Sequence, residues 1–419
     1  MQPARRVFSC RGCLTRLSPH QRRTFSRSAP RHAAPAGPSP AGIAHLSSRR
    51  LISVSGPDAA KYLQGVITAN LFSGSTPRDQ HLRTDAGFYA AFLTGQGRVL
   101  HDVFVYHDVR DTPSPHPAGH SWLLEVDASQ AEALQKQIRR YKLRAKFDVR
   151  LLDQDEGRVW QAWDDNNASH TIIPSKNHPT IITTPDTRAP NLGTRLLTFN
   201  SSPPSDSTSG SGSDSGNDLP QLPESAYRLR RYLHGIPEGQ SEILAGTALP
   251  HESNTDLMGG IDFRKGCYVG QELTIRTEHR GVVRKRILPC VLYPDDADAA
   301  APDTLGYRPE IGSGAGVTAD MVPAGASIGR VGKKGRSAGK WLSGVGNVGL
   351  ALCRLEIMTD VVLPGETGGV GFDAGDEFVV GLEGREGEEG EGEGEGGKVR
   401  IKAFVPEWLR TGLANRERH

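Results

Sequence analysis

Cysteine is scarce in this chain, at five in 419 residues. Five cannot build the disulfide framework of a small secreted domain, so the composition points to a reducing compartment. Long apolar runs are absent too. No stretch of about 18 uncharged apolar residues occurs, which excludes a membrane-spanning helix. Acid is missing from the start of the chain: residues 1–50 hold ten arginines and no Asp, Glu or Lys, and the first carboxylate is Asp58. Taking those ten charges from a total of +2 leaves −8 for the remainder. A mildly acidic body offers no bulk charge for non-specific nucleic-acid binding.

What fills residues 1–42 instead is Arg, Ser, Ala and Pro, the composition of an organelle transit peptide. A membrane potential negative inside the mitochondrion would draw such a segment across. Arg23-Thr24-Phe25-Ser26 resembles a matrix-processing site, with cleavage after Phe25 and a mitochondrial matrix destination. Cys10 and Cys13 form a C-x2-C pair, but zinc needs four ligands and no second pair exists.

The body reads as α+β, with the main α+β region over residues 43–273 and a small C-terminal β-barrel or sandwich over 274–419. Ile43–Val54 is expected to be an opening strand. A helix follows, with Ala59, Tyr62, Leu63, Val66 and Ile67 on one face. Strands are expected over 87–93, 98–106 and 122–126, the first two joined by the Gly95-Gln96-Gly97 turn. Asp127 opens a second helix carrying Leu134, Ile138 and Tyr141. Residues 201–220 are nearly all Ser, Pro, Gly, Asp and Asn, the composition of a flexible insertion. Pro223 starts a third helix, with Gly235 as its C-cap. Barrel strands are expected over 282–292, 346–356, 377–382 and 398–405. The Gly/Glu tract 383–397 carries seven glutamates and one arginine, and reads as a solvated loop.

The segment richest in chemistry is Phe263-Arg264-Lys265-Gly266-Cys267-Tyr268-Val269-Gly270-Gln271-Glu272. One cysteine stands between two cations and two glycines. Arg264 and Lys265 would favour its thiolate, the form that attacks electrophiles and binds metals. The glycines would permit tight turning or close approach of a ligand. A buried cysteine in a Gly-rich turn is the bland alternative.

Lys265-Gly266-Cys267-Tyr268-x-Gly270-Gln271-Glu272 resembles the signature of the YgfZ family. These are folate-binding relatives of the glycine-cleavage T-protein, and their mitochondrial members are iron–sulfur-cluster assembly factors. The likeness runs over most of residues 43–410. It includes Val54-Ser55-Gly56-x-Asp58, Leu63-Gln64-Gly65, Gln96-Gly97-Arg98-Val99-Leu100-x-Asp102 and Tyr141-x-Leu143-Arg144-Ala145-Lys146. Further on come Gly235-Ile236-Pro237, Leu249-Pro250-x-Glu252 and His279-Arg280-Gly281. The resemblance implies a three-lobed, T-protein-like folate-binding fold closed by a C-terminal β-barrel, with the Cys267 loop at its central cavity. Tetrahydrofolate would then be held by Lys265, Tyr268, Gln271, Glu252 and Arg144. Aminomethyltransferases carry adjacent aspartates where this chain has His101-Asp102, so one positioned acid–base group is missing. Such a loss typically costs two to four orders of magnitude in rate.

A cluster of four irons usually takes four thiolates. The mature chain has Cys267, Cys290 and Cys353, the last two in apolar strands, so it cannot cage a cluster alone. Cys267 could be one metal ligand of a transient, shared iron–sulfur cluster. Two functions stand. One is an accessory factor of [4Fe–4S] maturation, acting with A-type scaffold proteins on apo-client enzymes. The other is a folate-dependent one-carbon transferase in which Asp102 assists. Three weaker signals fail on context. Gly344–Gly349 matches G-x-G-x-x-G but precedes a strand-like run. Residues 335–340 only mimic a phosphate loop. The basic run Arg276, His279, Arg280, Arg284, Lys285 and Arg286 is expected to be a solvated strand face, the sharper alternative being a docking surface for folate carboxylates or an acidic partner.

Overall fold

The computed structural model describes residues 37–73, 81–83, 87–108, 110, 120–167, 181–199, 219–295, 300–308, 318–333, 335–363, 371–382 and 397–416. The expected transit segment up to residue 36, residues 201–218 of the expected insertion and residues 383–396 of the acidic tract lie outside them. The α+β expectation holds. Two five-stranded sheets and a closed six-stranded barrel carry the chain.

The first sheet runs, in spatial order, Ile181–Pro185, Thr194–Phe199, Gly157–Asp164, Ala41–His45 and Gln221–Leu222. The second runs Phe88–Leu93, Val99–His107, Ser121–Asp127, Arg49–Ser55 and Asp148–Leu151. The opening strand expected over 43–54 is therefore two strands in different sheets. Ser47 and Ser48 break it: the Ser47 hydroxyl (2.7 Å) and the Ser48 amide (3.3 Å) both donate to the Glu224 carboxylate. That bond turns the chain from one sheet to the next.

Alternation along the second sheet sorts its neighbours. Val103, Val105, Trp122 and Leu124 face helices α1 (Ala59–Val66) and α2 (Ala131–Tyr141), meeting Ala59, Leu63, Leu134 and Ile138. Tyr89, Phe104, Tyr106 and Leu123 face the other way, toward Trp163 and Leu197 of the first sheet and Tyr227 of α3 (Glu224–His234). Helix α3 ends as expected at Gly235, whose φ of +73° is the left-handed cap that glycine adopts without penalty.

The barrel order is Lys285–Tyr293, Val348–Arg354, Gly339–Val345, Ser327–Arg330, Phe378–Gly381 and Lys398–Ala403. Residues Gln271–Arg280 form helix α4 instead of leading into the barrel strands. Gly270 starts that helix, and the chain leaves it at Gly281 in extended conformation. Two further helices are α5 (Leu355–Met358), between barrel strands, and α6 (Glu407–Arg416), after the last of them. The Gly344–Gly349 motif is a β-hairpin turn, with Val345 paired to Val348 and Gly346 at φ +59°. No helix among the described residues is long and apolar enough to cross a membrane.

Candidate functional site

The Cys267 loop is exposed at its tip and pinned at its base. Cys267 is exposed, whereas Cys290 and Cys353 are buried. Asp262 accepts from the Arg264 amide at 2.8 Å, turning the chain outward. Lys265 folds back: its Nζ donates to the carbonyls of Gln64 (2.8 Å), Ile67 (2.7 Å) and Ala69 (2.9 Å). All three ammonium protons are thus spent on the C-terminal end of α1, where a cation also meets the negative end of the helix dipole. Burial pushes this lysine down to about 8.

Tyr268 anchors the other side. Its ring is buried with Ala91, Leu93, Val99 and Ile243, and its hydroxyl meets Thr274 Oγ1 at 2.8 Å. Its amide donates to Gln271 Oε1 at 3.1 Å, and the Val269 amide donates to the Gly65 carbonyl at 3.1 Å. A loop tied this way at both ends holds the Cys267 thiol in one place without burying it.

The residues expected to hold tetrahydrofolate are not gathered into a pocket. Lys265, Tyr268 and Gln271 use their polar atoms to build the loop. Arg144 is exposed on the loop after α2. Glu252 lines a different cavity, of about 440 Å³ between the barrel and the 240–253 segment, with Lys285 at 3.8 Å. A pterin needs paired donors and acceptors converging on one plane, and this set does not supply them.

Asp102 is not poised as an acid or base either. It is 1% exposed, with Oδ2 3.2 Å from Arg49 Nη1 and Oδ1 accepting from the Gly239 amide at 3.1 Å. It belongs to a buried ionic cluster that joins both sheets to α3. Arg49 and Arg195 share Glu125 (2.8 and 3.1 Å), and Arg195 and Arg188 share Glu238 (2.6 and 2.8 Å). The Tyr227 hydroxyl accepts from both arginines and donates to Glu238. Burial alone would raise the Glu238 carboxyl, but the guanidinium groups of Arg195, Arg188, Arg231 and Arg49 hold it well below its ordinary range. Its members come from segments far apart in the chain, so no local pattern announces it.

The basic run after the signature divides. Arg276, His279 and Arg280 lie on α4, whereas Arg286 is 1% exposed and grips both oxygens of Asp256 at 3.0 Å. The solvated strand face expected here is thus wrong for Arg286, which is a core residue. Among the described residues no group of three or more His, Cys, Asp or Glu is placed to hold a metal ion. Cys267 is the one exposed cysteine among the described residues.

The "CAF17, C-terminal beta-barrel domain" model matches residues 284–411, the barrel and the helix after it. A curated relative from Chaetomium globosum, named "Iron-sulfur cluster assembly factor IBA57 homolog, mitochondrial", is 67% identical over 454 residues, covering 100% of both chains. Relatives of the same name from Pyricularia oryzae and Neurospora crassa are 54% and 50% identical. They cover 89% and 98% of this chain and 86% and 90% of their own. The chain belongs to the mitochondrial IBA57 family. A solved structure of similar fold is the glycine cleavage system aminomethyltransferase T from Bartonella henselae, with a TM-score of 0.54 and 13% identity over 88% of this chain and 86% of that one. At that identity the likeness is of fold. The family's T-protein-like architecture with its barrel is what the resemblance in the signature implied.

Proposed function

We propose that this chain serves iron–sulfur cluster assembly in mitochondria by offering Cys267 as one thiolate ligand of a cluster held jointly with a partner. The observation that carries the reading is the exposed thiol on a loop fixed by Lys265, Tyr268 and Val269. A thiol so placed can enter a partner's coordination sphere, because a soft cluster iron takes thiolate in preference to oxygen donors. The partners of this reading are A-type scaffold proteins as donors and apo-[4Fe–4S] enzymes as clients, met in the matrix. The resemblance of the signature keeps tetrahydrofolate in this reading as a ligand, although Lys265, Tyr268, Gln271, Glu252 and Arg144 are not brought together to hold it. The one-carbon transferase alternative loses support where Asp102 is paired with Arg49.

The deciding experiment mixes the purified chain with a [2Fe–2S]-loaded A-type scaffold and follows visible circular dichroism. A new cluster spectrum should form with the native chain and fail with Cys267→Ser. The same spectrum from Cys267→Ser would remove Cys267 from the site.

A further inference from the structure

Helices α1 and α2 pack on one face of the second sheet, and each lends a stripe of side chains to the cleft between them. On α1 that stripe is Lys61, Tyr62 and Val66. On α2 it is Ala133, Lys136, Arg140 and Tyr141, which share one face at helical spacing. Between the stripes lies a cavity of about 1100 Å³, floored by Phe92, Leu93 and Leu100 and bordered by Val269 of the Cys267 loop.

Three large apolar side chains stand exposed around it: Tyr141 (57%), Val269 (44%) and, on the bordering loop, Leu143 (83%). Leu143 also holds a φ of +47°, unusual for a branched residue. Clustered exposure of this kind marks an interaction surface. The charge around it is one-sided. Lys61, Lys136 and Arg144 have no carboxylate partner among the described residues, and Arg140 has only the ring of Tyr141, 5.6 Å away. The bordering carboxylate, Asp58, is engaged by the Lys146 amide at 2.7 Å.

We propose that this groove docks an amphipathic, acidic helix of a partner protein. Its apolar face would lie on Tyr62, Val66, Leu100, Tyr141 and Val269, and its carboxylates would reach Lys61, Lys136 and Arg140. Two flanking helices with stripes at helical spacing make a trough for a third, the helix-in-groove mode of recognition. A concave trough does not fit a flat bilayer. The position of Val269 at its border puts the docked segment next to Cys267. That the partner is a cluster carrier rests on the function proposed above; the chemistry of the groove does not.

The test uses the full chain and a fluorescent helical peptide of about 20 residues, spanning roughly 30 Å, with leucines on one face and glutamates on the other. Binding should be saturable and weaken with salt. It should fall about tenfold in the triple variant Lys61→Glu, Lys136→Glu, Arg140→Glu, three exposed charges each contributing a modest part. A photo-crosslinking version should map to Tyr141 or Val269, and this arm decides if the triple variant melts early. Cys267→Ser should bind the peptide unchanged, so failure of the cluster reading and failure of the groove are told apart. Equal binding by the triple variant, equal binding of a lysine-for-glutamate peptide, or crosslinks elsewhere would overturn the proposal. So would displacement by tetrahydrofolate, or self-association of the chain through this face in sedimentation.

Discussion

Gly97 and Gly270 meet backbone to backbone: a Cβ on Gly270 would lie 3.1 Å from the Cα of Gly97, and one on Gly97 would lie 2.9 Å from the Gly270 carbonyl oxygen. The turn joining two strands of the second sheet is thereby seated against the residue that starts α4. Both glycines also hold positive φ, +80° and +82°. The contact fixes the Cys267 loop from below as Lys265 fixes it from the side. Gly270→Ala should therefore cost more than about 2 kcal/mol, from the left-handed backbone and the collision together. Gly266→Ala has no heavy atom within 4 Å of the added methyl and should cost less than about 0.5 kcal/mol. Urea unfolding of the two variants checks the contrast, and similar losses would refute it.

Much of this site is legible in the amino-acid sequence, for identifiable reasons. The helix at Ala59 and the cap at Gly235 follow from periodicity and glycine stereochemistry, both local. The signature singles out Cys267, and that thiol is the exposed one. What the signature cannot show is that Lys265 and Gln271 spend their polar atoms on fixing the loop, because the Lys265 partners lie about 200 residues away and the Gln271 partner is a backbone amide. The same limit hides the Asp102 cluster and the burial of Arg286. A charged residue reads as surface until its tertiary partner is known. The strands Ser327–Arg330 and Gly339–Val345 escape the pattern because glycine and serine dilute their alternation.

Asp102 separates a structural from a catalytic role. It is one of two carboxylates on Arg49, the other being Glu125. Breaking one partner of a buried ion pair typically costs about 3 kcal/mol or more. Asp102→Asn should lower stability by about that amount, with Arg49 still held by Glu125. Cluster delivery per folded molecule should stay near the native value. A variant with native stability and lost delivery would return Asp102 to the chemistry.

His234 gives a pH dependence of definite sign. Burial, then the Arg230 charge, lowers it from 6.5 to about 4. Between those values the unfolded chain binds a proton that the folded chain refuses. Its contribution to stability is thus complete above pH 6.5 and is lost as pH falls toward 4, at up to about 1.4 kcal/mol per pH unit. His234→Gln should flatten this part of the profile, seen as a smaller drop in Tm between pH 6.5 and 4.5 than in the native chain. Parallel profiles would show that His234 is protonated in the folded state.

The three cysteines of the described residues should behave as two kinds of thiol. Cys290 and Cys353 are both fully buried in the barrel, with their Sγ atoms 3.8 Å apart. Burial, then the neighbouring Cys353 thiol, pushes the Cys290 thiol well up, so it carries almost no thiolate at neutral pH. Alkylation of the native chain followed by peptide mapping should modify Cys267 within minutes and spare the barrel pair until denaturant is added. Serine replacement should divide them again. Cys267→Ser exchanges one exposed polar tip for another and should leave Tm unchanged. Cys290→Ser buries a hydroxyl in an apolar interior and should cost about 1–3 kcal/mol, while its folded fraction still forms the shared cluster. Equal labelling of Cys290 and Cys267 would mean that the barrel opens readily. A Cys267→Ser chain that melts as early as Cys290→Ser would make the exposed thiol a structural residue after all.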